Sequence, residues 1–309
     1  MLGQGCSHTL ARIDPQESAP SELPDSKTGS VSAVLTRSES RSDSQAQWNV
    51  IRPKVPHGGL QGVWVARGLL GEQSSWSADF EGQKVSGLLD PARNAVVFWF
   101  GVPYARAPGR AELLVNSSVN SGPLSISFDV VHGGYLQEVI QVDPRHVSPS
   151  AGDLKRIRAE SRELGKVYAH SGPSGLWEGP FALPVVDGVL TSRFGTQRVF
   201  NGVMQSFHQG LDLRAPTGTP IVAPSRGKVV LAKDLFYTGN TVILDHGRGL
   251  FTVYAHLSEL RVKRGQDVRT TDLLGLSGAT GRASGPHLHW GALWNRVKFD
   301  PLDLVQVFQ

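Results

Sequence analysis

The chain has 309 residues, 39% of them hydrophobic and 19% charged, with a formal net charge of +4. That length admits two domains. The single cysteine, Cys6, excludes a disulfide framework and a thiolate metal site, and no run of about 18–20 apolar residues offers a membrane-spanning helix. The mild basic excess favours anionic surfaces. No Lys/Arg run or basic-aromatic interleaving accompanies it, so nucleic acid is not an expected partner.

At the start, Leu2-Gly3-Gln4-Gly5-Cys6-Ser7 reads like the tail of a lipoprotein signal, in which small residues precede a cysteine that becomes lipidated. The other reading of Cys6 is an ordinary free thiol. Residues 8–47 are rich in Ser, Pro, Asp, Glu and Arg and contain no aromatic residue. Such a segment buries too little apolar surface to offset its ordering entropy. Residues 1–47 are therefore expected to be a disordered tether, with a membrane attachment through Cys6 as an option.

From Trp48 the pattern changes to short alternating runs: 62–66, 96–100, 112–115, 124–130 and 136–142, separated by Gly, Pro, Asn and Asp. Such punctuation predicts a small antiparallel sandwich of immunoglobulin-like type over residues 48–147. Trp64, Trp76 and Trp99 are expected in its core. Residues 148–168 break the alternation. Ser148-Pro149-Ser150 can start a helix, and Leu154, Ile157 and Leu164 form an apolar stripe among charged residues. Residues 148–176 are taken as a connector helix and linker. From Trp177 to the end strands return, at 227–232, 241–245, 250–256, 273–277 and 287–293, without helical periodicity.

Three stretches in this last region carry chemistry. His287 and His289 stand two apart in an alternating run, so they face one side of a strand. His208 and Asp212 stand four apart, around Gly210 and before Leu213-Arg214-Ala215-Pro216, which argues against a helix. His256 ends a strand. Hydrolytic zinc is held by three protein ligands and an open position for water. His208, Asp212 and one of His287 and His289 supply three ligands. Neighbours two apart on one face lie about 7 Å apart at the backbone, so both members of the pair do not easily share one ion. The remaining histidine of the pair and His256 are then available for proton transfer. His246, in Asp245-His246-Gly247, is expected to be structural. His8, His57, His132, His146 and His170 are expected at the surface or in turns, and Asp187 and Asp234 as solvated loop carboxylates.

In order along the chain, Phe194-Gly195 with Arg198, His208-Gln209-Gly210-Leu211-Asp212-Leu213 with Gly218-Thr219-Pro220-Ile221, Asp245-His246-Gly247, Tyr254-Ala255-His256-Leu257, Gly265-Gln266-Asp267-Val268, and Gly278-Ala279-Thr280-Gly281 through Gly285-Pro286-His287-Leu288-His289-Trp290 resemble the motifs of the lysostaphin-type zinc endopeptidases, peptidase family M23. The resemblance covers residues 177–305. It implies an antiparallel β-sheet peptidase core over 177–309, in an overall mainly β chain. It implies one zinc ion held by His208, Asp212 and His289, with His256 and His287 as catalytic imidazoles. It also implies hydrolysis of peptide cross-links in bacterial peptidoglycan by a metal-activated water, in an exported protein of the periplasm or cell envelope. A D-alanyl-diaminopimelate bond is the first expectation, with a glycine bridge as the alternative. Some members of the family lack ligands and act only as regulators of amidases; a catalytically silent binding protein is therefore the second expectation. A third is occlusion of the groove by the tether or the connector helix, in which case a fragment beginning near Ser171 would be more active than the full chain.

Overall fold

The computed structural model describes residues 47–73 and 75–308. Cys6 and the expected tether, except Gln47, lie outside the described residues. The first part of the fold is an eight-stranded sheet made of β1 (Trp48–Val50), β2 (Lys54–Pro56), β3 (Leu60–Ala66), β4 (Ser77–Phe80), β5 (Gln83–Asp90), β6 (Ala95–Gly101), β7 (Gly109–Val115) and β8 (Leu124–Val131). A single helical turn, α1 (Arg67–Leu70), follows β3. The strands are hydrogen-bonded in the order β1-β3-β6-β5-β4-β7-β8-β2. All pairs are antiparallel except β2 with β8. β5 joins two halves: its first residues, Gln83–Ser86, pair with β4, and Gly87–Asp90 pair with β6. A Cβ at Gly87 would lie 2.5 Å from a Val96 methyl, so the crossover requires a residue without one.

The alternation seen in the sequence is kept. Ala111, Leu113 and Val115 of β7 point inward, while Arg110, Glu112 and Leu114 point out. The two halves share one apolar core, with Phe80 4.6 Å from Phe100 and Phe100 5.9 Å from Phe128 between ring centroids. β6 is buried along its whole length, because its other face meets the C-terminal part of the chain. Trp99 packs there on Trp294 and Phe308. Trp64 is half-buried, with the Arg93 guanidinium 3.8 Å over its ring.

The run at 136–142, expected as a further strand of the sandwich, does something else. As β9 (Gln137–Ile140) it pairs in parallel with β11 (Gln197–Phe200), and β11 pairs with β12 (Met204–Phe207) in a separate three-stranded sheet. A parallel pair needs a long crossover, and the segment between β9 and β11 contains the long helix.

That helix, α2 (Ala151–Val167), falls within the predicted span. A capping box fixes its start: Asp153 N–H donates to Ser150 Oγ at 3.1 Å, and Ser150 N–H donates to the Asp153 carboxylate at 3.3 Å. Leu164, Val167 and Tyr168 pack on Leu231, Leu235, Ile243, Phe251 and Leu293. Leu154, expected on the buried stripe, is 40% exposed; the inward position of the first turn is Asp153, which pairs with Arg145. Asp234 is not simply solvated, since it pairs with Arg156 of α2 at 2.8 Å.

The second large sheet runs β10 (Leu190–Ser192), β13 (Leu211–Arg214), β20 (His287–Trp294), β17 (Leu250–Leu260), β16 (Gly239–Asp245), β15 (Gly227–Leu235) and β18 (Asp267–Val268). β19 (Leu273–Ser277) extends β17 and carries β14 (Pro220–Val222), and β21 (Val297–Phe299) pairs with β20. A short helix, α3 (Leu302–Val307), follows Pro301, where no helix was expected; six residues are too few to display a period. Its Asp303 accepts the Leu60 N–H at 2.7 Å and pairs with Arg52, fastening the chain end to the first sheet.

Candidate metal centre

β13 lies between β10 and β20. Antiparallel pairing sets Asp212 directly opposite His289 and Arg214 opposite His287. Opposed residues share a face, so Asp212 and His289 meet. On the other flank of β20, Ala255 of β17 stands opposite His289. His256, one residue on, would face away in a regular strand. Its φ of +62° places it instead in the left-handed region, which costs a non-glycine residue about 1–2 kcal/mol. The ring is thereby brought 4.9 Å from that of His287 and 5.9 Å from that of His289. The strain is held by the His256 N–H, which donates to the Thr238 carbonyl at 2.8 Å. His208 follows β12, with its own N–H on the Thr196 carbonyl.

His208 Nε2, His289 Nδ1 and Asp212 Oδ1 form a triangle with sides of 2.9, 3.0 and 3.0 Å. His208 Nδ1 lies 2.9 Å from the Arg193 carbonyl oxygen. A carbonyl only accepts, so Nδ1 carries the proton and Nε2 presents a bare lone pair. The triangle thus sets that lone pair against a carboxylate oxygen with no hydrogen between them, an arrangement that a bound cation relieves. Two imidazole nitrogens and one carboxylate oxygen match the donor set of a hydrolytic zinc site. Burial lowers His208, and pushes His289 down to about 4 and His256 down to about 3. Each shift favours the neutral imidazole, the form that a metal ligand or a general base requires. The other Asp212 oxygen accepts from Arg198 at 2.6 Å, and Arg198 is braced in turn by Ser192 and by Glu138 of β9.

The two remaining imidazoles are set alike. His256 Nδ1 donates to the Thr280 carbonyl at 2.7 Å, and His287 Nδ1 to the Gly285 carbonyl at 2.8 Å. Each therefore keeps an Nε2 lone pair for other work; that of His287 is 3.6 Å from Asp212 Oδ1. A cavity of about 420 Å³ opens on His208, His256 and His289, with Ile157, Glu160 and Leu164 of α2 along its wall. A second opening, between β9 and the loop before β20, exposes Asp212 and His287.

Gly210 lies against this centre. A Cβ there would sit 2.4 Å from the Trp290 carbonyl oxygen and 2.8 Å from the His289 ring. Gly210→Ala is expected to displace that ring, lowering stability by about 1–3 kcal/mol and weakening retention of the ion. Thermal unfolding with and without zinc measures both; a zinc-induced shift equal to wild type would refute the displacement.

His246 is structural, as its place in a turn motif implied. It is fully buried, with Nδ1 on the Arg226 carbonyl and Nε2 on Thr252 Oγ1, both at 2.7 Å. Burial pushes it down to about 4. Between about pH 4 and 6.5 the unfolded chain therefore binds the extra proton. The stability this group contributes is complete above about 6.5 and is lost as the pH falls towards 4, about 3 kcal/mol in all. His246→Gln keeps a donor and an acceptor without that titration. Its unfolding midpoint should fall less steeply over this range than that of wild type, and parallel curves would refute the assignment.

His132 and His170 are exposed, as expected. His57 is not at the surface: it is buried, its Nδ1 donates to the Tyr104 carbonyl at 2.7 Å, and its ring packs edge-on to Tyr135. His146 is half-buried on the Phe236 ring. His8 lies outside the described residues. Arg198 stood in the sequence only as part of a motif, and Glu138 and Ser192 carried no signal there: Glu138 reaches Arg198 through the β9–β11 pairing and Ser192 from β10.

Two imidazoles and one carboxylate on the face of an antiparallel sheet, a candidate metal centre, are the class of site that this fold and donor set define. Residues 206–301 match the model of peptidase family M23. A crystal structure assigned to peptidase M23, from Pseudomonas aeruginosa, is 33% identical, covering 82% of this chain and 96% of that one, with a TM-score of 0.62. The chain belongs to peptidase family M23. Among curated relatives, peptidoglycan DD-endopeptidase ShyA of Vibrio cholerae is 46% identical over 139 residues, 44% of this chain and 32% of that protein. Peptidoglycan DD-endopeptidase ShyB of the same organism is 34% identical over 161 residues, 50% of this chain and 35% of that protein. The chain thus spans about a third of the length of the curated relatives it matches.

Proposed function

We propose that the chain is a zinc-dependent endopeptidase that hydrolyses peptide cross-links of bacterial peptidoglycan. The observation that carries this is the triangle of His208 Nε2, His289 Nδ1 and Asp212 Oδ1, open on one side to a cavity that also exposes His256. In this proposal His208, Asp212 and His289 hold one zinc ion. When bound, the ion supplies a Lewis acid that lowers the pKa of water and polarises the substrate carbonyl.

The chain's own groups do the rest. The Nε2 lone pairs of His256 and His287 are kept bare by the carbonyls on their Nδ1 atoms. Between them they take the one proton of the attacking water; the single imidazolium so formed stabilises the developing oxyanion and returns that proton to the departing amine. Arg198 fixes the rotamer of Asp212. The names of the relatives support the substrate class, and the D-alanyl-diaminopimelate bond is the preferred target. An exported, envelope-located protein, tethered through residues 1–47 and Cys6, belongs to the same proposal. So does a division into an immunoglobulin-like sandwich over 48–147, a connector over 148–176 and a peptidase domain from 177, with β9 lent by the first region to the last. No helix among the described residues is long and apolar enough to cross a membrane.

The test is mass spectrometry of purified sacculi digested with the full chain, with and without chelator. Chelator-sensitive loss of cross-linked dimers, with the matching monomers appearing, is the expected result and names the bond. Intact sacculi with zinc bound would overturn the enzyme and leave the silent binding protein, against which the complete donor set counts.

A further inference from the structure

The cavity in front of the imidazoles carries an excess of cationic side chains. Its wall holds three cationic side chains, Arg198, Arg282 and Lys298, against one carboxylate, Glu160. Arg198 is bonded to Asp212 at 2.6 Å. Glu160 accepts from Arg156 at 2.6 Å and from the Phe236 N–H at 2.9 Å. The Arg282 guanidinium lies 4.2 Å over Phe200 and 4.8 Å over Tyr237, a planar fork steadied by two ring faces.

Lys298 is different. It projects from β21, is exposed to solvent, and donates to the neutral side-chain oxygen of Gln209, the neighbour of His208. Among the described residues it makes no ion pair. An ammonium has three hydrogens, so one bond to an amide oxygen leaves two and leaves its charge unneutralised. It also borders both this cavity and a smaller adjoining one that reaches His289 and Gly291. A cationic cleft of this kind concentrates anionic ligands and discriminates among them by charge.

We propose that Lys298 is a specificity-determining residue that binds a free carboxylate of the peptide next to the scissile bond, so that the site selects acidic stem peptides over their amidated forms. The proposal rests on the peptidase assignment above. Arg282, on the same cavity wall, adds to the field that draws such a carboxylate in.

The test uses the zinc-loaded full chain, wild type, Lys298→Gln and Lys298→Arg. The substrates are a purified cross-linked muropeptide dimer and the same dimer with its free carboxyl groups converted to amides. Both kcat/KM and the calorimetric Kd are measured. Wild type is expected to favour the carboxylate form about tenfold in both quantities. Lys298→Gln should bring that ratio close to one, and Lys298→Arg should restore most of it. An unchanged ratio in Lys298→Gln would overturn the proposal. So would equal losses on both substrates, which would mark a structural role. If wild type cleaves neither dimer, the peptidase assignment fails, and the ratio of Kd values still decides whether Lys298 reads the carboxylate.

Discussion

His208→Ala is expected to leave the full chain folded, unable to retain zinc through dialysis, and at least about a thousandfold slower on cross-linked peptidoglycan. The side chain is buried and supplies one corner of a triangle whose sides are all close to 3 Å. Removing it leaves one imidazole and one carboxylate, fewer donors than hydrolytic zinc sites use. It also removes a group placed by two backbone anchors, its own N–H on Thr196 and its Nδ1 on Arg193. Chelation of wild type should reproduce the loss, and added zinc should reverse it in wild type alone. Metal content by mass spectrometry, circular dichroism and dimer cleavage check the three parts. Normal zinc content with normal cleavage in His208→Ala would remove His208 from the ligand set.

The second large effect separates proton transfer from metal binding. His287→Ala and His256→Ala are each expected to retain one zinc per chain yet lose about 10²–10⁴-fold in kcat. Neither ring is a corner of the triangle, and each turns its Nδ1 to a backbone carbonyl. Two substitutions at position 256 should differ in stability. His256 occupies a left-handed backbone position at a cost of about 1–2 kcal/mol, so a glycine there relieves strain that an alanine keeps. His256→Gly is therefore expected to unfold at a higher temperature than His256→Ala while being equally inactive. Loss of zinc from His287→Ala would exchange the roles proposed for His287 and His289.

α2 bears on the occlusion idea. Ile157, Glu160 and Leu164 form part of the cavity wall and leave an open space of about 420 Å³ before the imidazoles. A fragment beginning near Ser171 would lose this wall. It would also expose Leu231, Leu235, Ile243, Phe251 and Leu293, and strip β9 and Glu138 from Arg198. Such a fragment is a measure of lost support as much as of relieved occlusion, which is why the tests above use the full chain.

How much was legible beforehand follows from the range of each interaction. Period-two alternation located β7, β8, β15, β16, β17 and β20 within a few residues, because burial of one sheet face is written locally. Ser148-Pro149-Ser150 marked the start of α2 for the same reason. His287 and His289 stood out as candidates because two imidazoles on one strand face supply metal donors that packing does not need, and the ordered motifs implied the other three. Which of His287 and His289 meets Asp212 was not legible from spacing, since both share a face; the register sets Asp212 opposite His289. The positive φ of His256 was equally hidden, because nothing in Tyr254-Ala255-His256-Leu257 announces it and the Thr238 carbonyl that holds it lies in another turn.

By itself, then, the sequence determined the mainly β character, the long helix and a short list of candidate site residues, all consequences of local pattern and side-chain chemistry, while the resemblance implied their roles. Only the tertiary structure decided that β9 leaves the first sheet for β11, that Glu138 braces Arg198, that α2 walls the cavity, and that Lys298 stands beside Gln209 with no ion pair among the described residues. Each of these joins residues far apart in the chain, and their pairing depends on strand register and packing, which a single sequence does not record.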